Sequence, residues 1–309
     1  MKKSLIALAV LAASGAAMAQ SSVTLYGIAD VVIHKDADVS ARMTSGGVST
    51  SRWGVKGSED LGGGLKANFN FEQGLDLTNG NIKGAAFGRQ ANVGFSSGFG
   101  AIQFGKTWNA YDDVAAAIIP VFDSVLSPAG IAPSYNYVSN PDSGVKLSMA
   151  DMGGFTASVS TNFKNATADV ERVTAFSGAY AGGPVVVGLA HQQEKAIAGT
   201  TRKLTRVNGS YDLGAAKLMA VFGVVQDEAK DITVGVDVPL SPALVLSTGF
   251  TQVRPDAGGD NANSFGLGVS YSLSKRTSVY GGFRKDNDAA VTSYDGVESR
   301  YGVGVKHTF

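Results

Sequence analysis

The sequence predicts an all-β fold, a sixteen-stranded antiparallel transmembrane β-barrel, on three observations. Apolar residues alternate with polar residues or glycine through most of the chain, the two-residue period of a strand. The alternating segments number sixteen, an even count, and short connections between them alternate with longer polar ones, as in outer-membrane barrels. One face of these segments is a continuous apolar band, whereas the other mixes Gly, Ser, Thr, Asn and scattered charges. Hydrocarbon demands that every backbone N–H and C=O be paired, so a closed barrel is the only β-structure that spans it.

Residues 1–19 stand apart. Lys2 and Lys3 open them, Leu5 to Ala13 form an apolar core too short to span a bilayer, and Ala17-Met18-Ala19 is an A-x-A cleavage site. They read as a cleaved secretory signal peptide, leaving 20–309 as one barrel domain. Its strands are expected near 22–35, 50–58, 65–73, 87–96, 100–106, 144–150, 155–163, 171–180, 184–194, 203–211, 215–227, 231–239, 243–253, 263–273, 277–285 and 298–309. The alternation is cleanest where Phe265, Leu267, Val269, Tyr271 and Leu273 oppose Ser264, Gly266, Gly268, Ser270 and Ser272. Tight turns fall at 59–64, 97–99, 151–154, 181–183, 212–214, 240–242 and 274–276; longer connections include 36–49, 74–86, 254–262 and 286–297.

Composition narrows the function classes. Removing Lys2 and Lys3 from 26 basic residues leaves 24 against 26 acidic ones, too balanced for a nucleic-acid partner. The absence of cysteine excludes disulfides and thiolate metal sites. No apolar run of 18 residues follows the signal, so no membrane helix is expected.

Segment 107–143 breaks the strand pattern. It holds Pro120, Pro128, Pro133 and Pro141, four of the chain's eight prolines. It has no Lys or Arg but carries Asp112, Asp113, Asp123 and Asp142, and Val114–Ile119 runs apolar into Pro120-Val121-Phe122. Loops this long are usually functional, and an apolar one needs a surface to pack on.

Other motifs carry less. Gly94-Phe95-Ser96-Ser97-Gly98 fits the G-x-S-x-G elbow of hydrolases, but it falls at a turn between strands, without the following helix that elbow needs. His34, His191 and His307 lack metal-ligand spacing. Asp286-Asn287-Asp288 with Asp295 and Glu298 lacks the EF-hand pattern and reads as a solvated external loop. The G-x-G pairs Gly266/Gly268 and Gly302/Gly304 are lumen-side or close-packing positions. No cofactor and no metal is expected.

Several stretches carry a family resemblance. Ser22-Val23-Thr24-Leu25-Tyr26-Gly27 resembles the first strand of the Gram-negative general porins, and Ser51-Arg52-Trp53-Gly54-Val55-Lys56-Gly57-Ser58-Glu59-Asp60-Leu61-Gly62 through Ala67 resembles their second hairpin. Arg89-Gln90-Ala91-Asn92-Val93-Gly94-Phe95 and Phe99-Gly100-Ala101-Ile102-Gln103-Phe104-Gly105-Lys106 are similar to the fourth and fifth strands. Gly153-Gly154-Phe155-Thr156-Ala157 and Leu273-Ser274-Lys275-Arg276-Thr277 match later turns of the family. Tyr301 and the C-terminal Phe309 resemble the signal read by the outer-membrane barrel-assembly machinery.

The resemblance implies a trimeric, sixteen-stranded diffusion channel in the outer membrane of a Gram-negative bacterium, in contact with lipid and lipopolysaccharide. It also implies that the third external loop, here 107–143, folds inward and narrows the barrel. Arg52 and Arg89 would form the basic wall of that constriction, and Asp112, Asp113 and Asp123 its acidic side. Arg52 agrees with strand parity, sharing a face with Gly54, Lys56 and Ser58. Arg89 does not, because its face holds Ala91, Val93 and Phe95; either the strand is covered inside by the loop or Arg89 points to a subunit contact. Lys56, Lys66 and Asp30 are further candidate lumen charges, of which Lys66 and Asp30 read rather as a solvated face. Where the arginine-rich branch of the family has another basic residue, this chain has Asn140, or Ile131 under a shifted alignment, which argues for at most a weak anion preference. The alternatives are a channel favouring small anionic metabolites and, from another class, an outer-membrane barrel enzyme or adhesin.

Overall fold

The computed structural model describes residues 22–37, 39–163 and 166–309; the signal peptide expected at 1–19 lies outside the described residues. Sixteen strands form the wall: β1 Ser22–Asp36, β2 Arg52–Gly62, β3 Leu65–Leu75, β4 Gln90–Ser97, β5 Gly100–Lys106, β6 Gly144–Met149, β7 Phe155–Asn162 and β8 Val170–Gly182. They continue with β9 Val185–Ala196, β10 Thr201–Asp212, β11 Lys217–Val225, β12 Ala229–Pro239, β13 Leu244–Pro255, β14 Ala262–Ser272, β15 Thr277–Asp286 and β16 Ser299–Thr308. Each pairs antiparallel with the next, and β16 pairs back with β1 from Ile28↔Thr308 to Asp36↔Arg300, closing the barrel. Two shorter strands, Arg42–Ser45 and Ile82–Lys83, sit in the connections after β1 and β3.

Strand parity holds along the wall. Val93, Phe95, Val159, Leu189, Val207, Phe222, Val234, Phe250 and Val303 all stand exposed on the outer face. Their neighbours in sequence face inward, which places the apolar band toward lipid and the polar band toward the interior. β2 runs into the expected 59–64 turn before reversing at Gly63 and Gly64, and the 286–297 connection contains a short helix, Asp288–Ser293.

Each buried apolar cluster among the described residues joins segment 107–143 to the wall. Ala110, Tyr111, Val114 and Ala115 pack on Ala175, Ala190, Leu204 and Val225; Ile118 packs on Met219 and Val221; Ile131 packs on Ala229, Val253 and Ala262. Polar contacts follow the same course: Ser160 accepts from Ala110 N at 2.9 Å, Asn208 donates to Val114 O at 2.6 Å, Ser247 accepts from Val121 N at 2.8 Å, and Asp231 accepts from Ser134 N and Oγ at 3.1 and 2.9 Å. Gly235 and Gly249 explain part of the glycine excess, because a Cβ on either would stand 2.5 or 2.7 Å from Pro120. The segment thus covers the polar faces of β6 to β16 and leaves those of β2 to β4 open.

Candidate functional site

On the uncovered side, β2 and β3 present Arg52 and Glu72 on neighbouring inward positions, since Gly54 stands opposite Glu72 in the ladder. Glu72 joins two cations. Its Oε1 accepts from Arg89 Nε at 2.7 Å, and its Oε2 lies 3.3 Å from Arg52 Nε. Tyr26 donates to the same Oε2 at 2.9 Å, and Arg52 also donates to Thr50 O at 3.0 Å. The Arg89 guanidinium lies over the Trp108 ring, 5.0 Å from its centroid, a cation–π contact that fixes its plane. Parity fails for Arg89 because it precedes β4 and has no strand neighbour to set its direction. Asn140 donates to Gly88 O and Arg89 O at 3.1 and 2.9 Å, tying that backbone to the end of segment 107–143.

Facing these cations, a helical turn, α1 Asp112–Ala115, carries Asp112, whose Oδ1 accepts from Tyr137 OH at 2.6 Å. Asp123 accepts from Tyr135 OH at 2.9 Å. Val121, Phe122 and Asp123 all hold positive φ, 56°, 61° and 53°. Such left-handed backbone costs about 1–2 kcal/mol per non-glycine residue, so burial of Val121 and its bond to Ser247 are needed to hold Asp123 in place. Desolvation among protein walls pushes the Asp123 carboxyl up to about 6, although the residue as a whole is exposed. Desolvation raises Asp112 as well, opposed by the Tyr137 hydrogen bond. Arg52, Glu72, Arg89, Trp108, Asp112 and Asp123 line one opening of about 760 Å³, together with Tyr135, Tyr137, Val125 and the Gly46–Thr50 turn.

Two expected members stand elsewhere. Asp113 does not line this opening: it bonds Lys146 Nζ and Ser158 Oγ, both at 2.5 Å, on the wall. Successive residues of a helical turn point about 100° apart, so Asp112 and Asp113 cannot face the same way. Asp30 is no solvated lumen charge. It is fully buried and accepts from Gly47 N, Val48 N, Ser49 N and Tyr280 OH. Lys56 is exposed, its Nζ 5.2 Å from the Tyr26 ring centroid, and Lys66 is exposed near the β2–β3 turn. Tyr301 and Phe309 are both exposed on the outer face, and Phe309 exchanges two 3.1 Å backbone hydrogen bonds with Gly27.

Sequence reasoning missed Glu72 and Trp108, and with them the cations that dock the loop. Arg206 donates to Ser134 Oγ at 2.8 Å, Arg202 donates to Asn136 O and Pro133 O, and Arg300 donates to Val125 O at 3.2 Å. A segment without Lys or Arg whose carbonyls need donors is the signal that would have found them. No grouping of three or more His, Asp or Glu able to hold a metal occurs among the described residues.

A family model described as Gram-negative porin matches residues 5–290. Over the full length of both chains, the protein is 34% identical to outer membrane porin protein 32 of Delftia acidovorans and 30% identical to an outer membrane porin protein of Bordetella pertussis. The anion-selective porin from Comamonas acidovorans superposes with a TM-score of 0.79 at 28% identity, covering 94% of this chain and all of that one. The closed sixteen-stranded wall, its apolar outer band and these relatives agree. The chain belongs to the Gram-negative porin family, an outer-membrane β-barrel forming a water-filled channel for passive diffusion of small hydrophilic solutes and ions.

Proposed function

We propose that the opening between Arg52, Arg89 and segment 107–143 is the constriction of this channel, with that segment as its inward-folded loop, and that the pore is general and only weakly ion-selective. The observation that carries this reading is the meeting of two arginines and two loop aspartates on one 760 Å³ opening. Opposite charges across a narrow aqueous gap set up a transverse field that orders water and disfavours apolar solutes. With every group ionised, the two arginines face Glu72, Asp112 and Asp123, a sum of minus one. Protonation of Asp123, whose carboxyl stands near 6, draws that sum to zero, so selectivity is weak and turns toward anions as pH falls through 6. The anion selectivity named for the Comamonas acidovorans porin supports the anion side.

Reversal potentials across planar bilayers in a KCl gradient test this. A small potential that moves toward anions below pH 6 fits; strong cation selectivity at every pH does not. Arg89 stacked on Trp108 favours a second reading, a channel preferring small anionic metabolites, which would give conductance that saturates with one such solute. Hydrolytic activity without conductance would favour the barrel enzyme instead.

The family also supports a cleaved signal at 1–19, a homotrimer, contacts with lipopolysaccharide and delivery by the barrel-assembly machinery through Tyr301 and Phe309. A structure of OmpT of Vibrio cholerae, 19% identical, is described as its trimer form. Mass in mild detergent before and after boiling tests the trimer.

A further inference from the structure

The ladder between β1 and β2 is interrupted at one place. β1 pairs with β2 up to Ile28↔Arg52 and resumes with the short strand Arg42–Ser45 at Val31↔Ser45. Residues 46–51 are therefore looped out opposite Ala29 and Asp30, and Gly46–Thr50 become part of the lining of the opening. Asp30 holds this excursion in place. Its Oδ1 accepts from Gly47 N at 3.0 Å, its Oδ2 from Val48 N at 3.0 Å and Ser49 N at 2.8 Å, and its carbonyl from Gly46 N at 2.7 Å and Ser51 Oγ at 2.8 Å.

A fourth donor to the carboxylate comes from two strands away. Tyr280 on β15 crosses β16 over Gly304, where a Cβ would stand 2.3 Å from its ring, and places its hydroxyl 2.5 Å from Asp30 Oδ1. The held turn touches both sides of the opening: Gly47 O accepts from Val125 N of segment 107–143 at 2.8 Å, and Thr50 O accepts from Arg52 Nη1 at 3.0 Å. A carboxylate with three backbone donors fixes such a turn more firmly than neutral acceptors do.

We propose that Asp30, completed by Tyr280, is a positioning residue of the pore: it sets the bore and the aim of Arg52 by clamping residues 46–50 between the wall and segment 107–143. This rests on the reading of that opening as the constriction. Asp30 touches no solute and acts through the turn. Asp30→Asn would set an amide N–H against backbone N–H groups that need an acceptor, and Tyr280→Phe would remove one donor while leaving the ring over Gly304.

The test records single-channel conductance, open-channel noise and KCl reversal potential for both variants and for Arg52→Ser, using only protein that migrates as folded barrel before boiling. Asp30→Asn is expected to raise conductance and noise and to move the reversal potential in the same direction as Arg52→Ser, with Tyr280→Phe showing the same changes to a smaller extent. If Arg52→Ser shifts the potential while folded Asp30→Asn and Tyr280→Phe channels conduct like wild type, the clamp is overturned and the constriction stands. If none of the three differs from wild type, the constriction reading itself is wrong. Should Asp30→Asn yield no folded barrel, Tyr280→Phe alone decides, unchanged conductance and noise overturning the clamp.

Discussion

Arg89 Nε lies 2.7 Å from Glu72 Oε1, and Glu72 also faces Arg52 across 3.3 Å, so a single carboxylate balances one of the two positive charges on this wall. Glu72→Gln should free that charge and move the reversal potential toward anions. It should also bring two like charges together in a half-enclosed site, at a cost on the order of 3 kcal/mol. Bilayer recordings read the first effect and thermal loss of the folded band in detergent reads the second. An unchanged reversal potential would show that Glu72 does not act on the permeating ions.

Asp123 should give the pore a pH dependence whose sign follows from its environment. Desolvation lifts its carboxyl from the ordinary aspartate range to about 6, so it is mostly charged at pH 7 and mostly neutral at pH 5. Anion preference should therefore rise as pH falls through 6. Asp123→Asn should show the low-pH preference already at pH 7 and flatten the profile between pH 7 and 5. A variant that kept the wild-type slope would assign the titration to another group.

Asp113 anchors the start of the loop through Lys146 and Ser158. Asp113→Asn should cost about 1 kcal/mol, as expected for a partly exposed pair, and should increase current flicker with little change in selectivity. Equal flicker in variant and wild type, measured at the same voltage, would place the anchoring of this loop in its apolar contacts alone.

The barrel closes where Phe309 meets Gly27. A Cβ at position 27 would stand 2.3 Å from the Phe309 ring and 2.7 Å from Arg52 O. Gly27→Ala should displace the C-terminal ring and cost about 1–3 kcal/mol through overpacking, read as slower folding into lipid vesicles and a lower temperature for loss of the folded band. Wild-type folding kinetics would mean that the seam tolerates the extra methyl group.

The wall was legible in the sequence because a two-residue period survives any loop, and the same parity put Arg52 on the inward face. What parity could not supply was the partnership across strands and loops. Arg89 lies outside its strand, so its direction depends on Trp108 and Asn140, which the alternation does not describe. Asp112 and Asp113 are neighbours in a segment whose helical turn no period announced, and only the structure separates their roles. Asp30 sits on the polar face as expected, yet an excursion of residues 46–51 buries it, and no alternation of strand residues marks such an interruption. The inward glycines carried a real but indirect signal, since Gly235 and Gly249 leave the space that Pro120 fills.

Arg52 and Arg89 are proposed to face the permeating ions across from the acidic segment. The most direct measurement is the KCl reversal potential of the double variant Arg52→Ser, Arg89→Ser against wild type at pH 7. The expected result is a clear shift toward cations, because Glu72, Asp112 and Asp123 then line the opening without counter-charge. An unchanged potential from folded, conducting channels would contradict it and place the constriction elsewhere in the barrel.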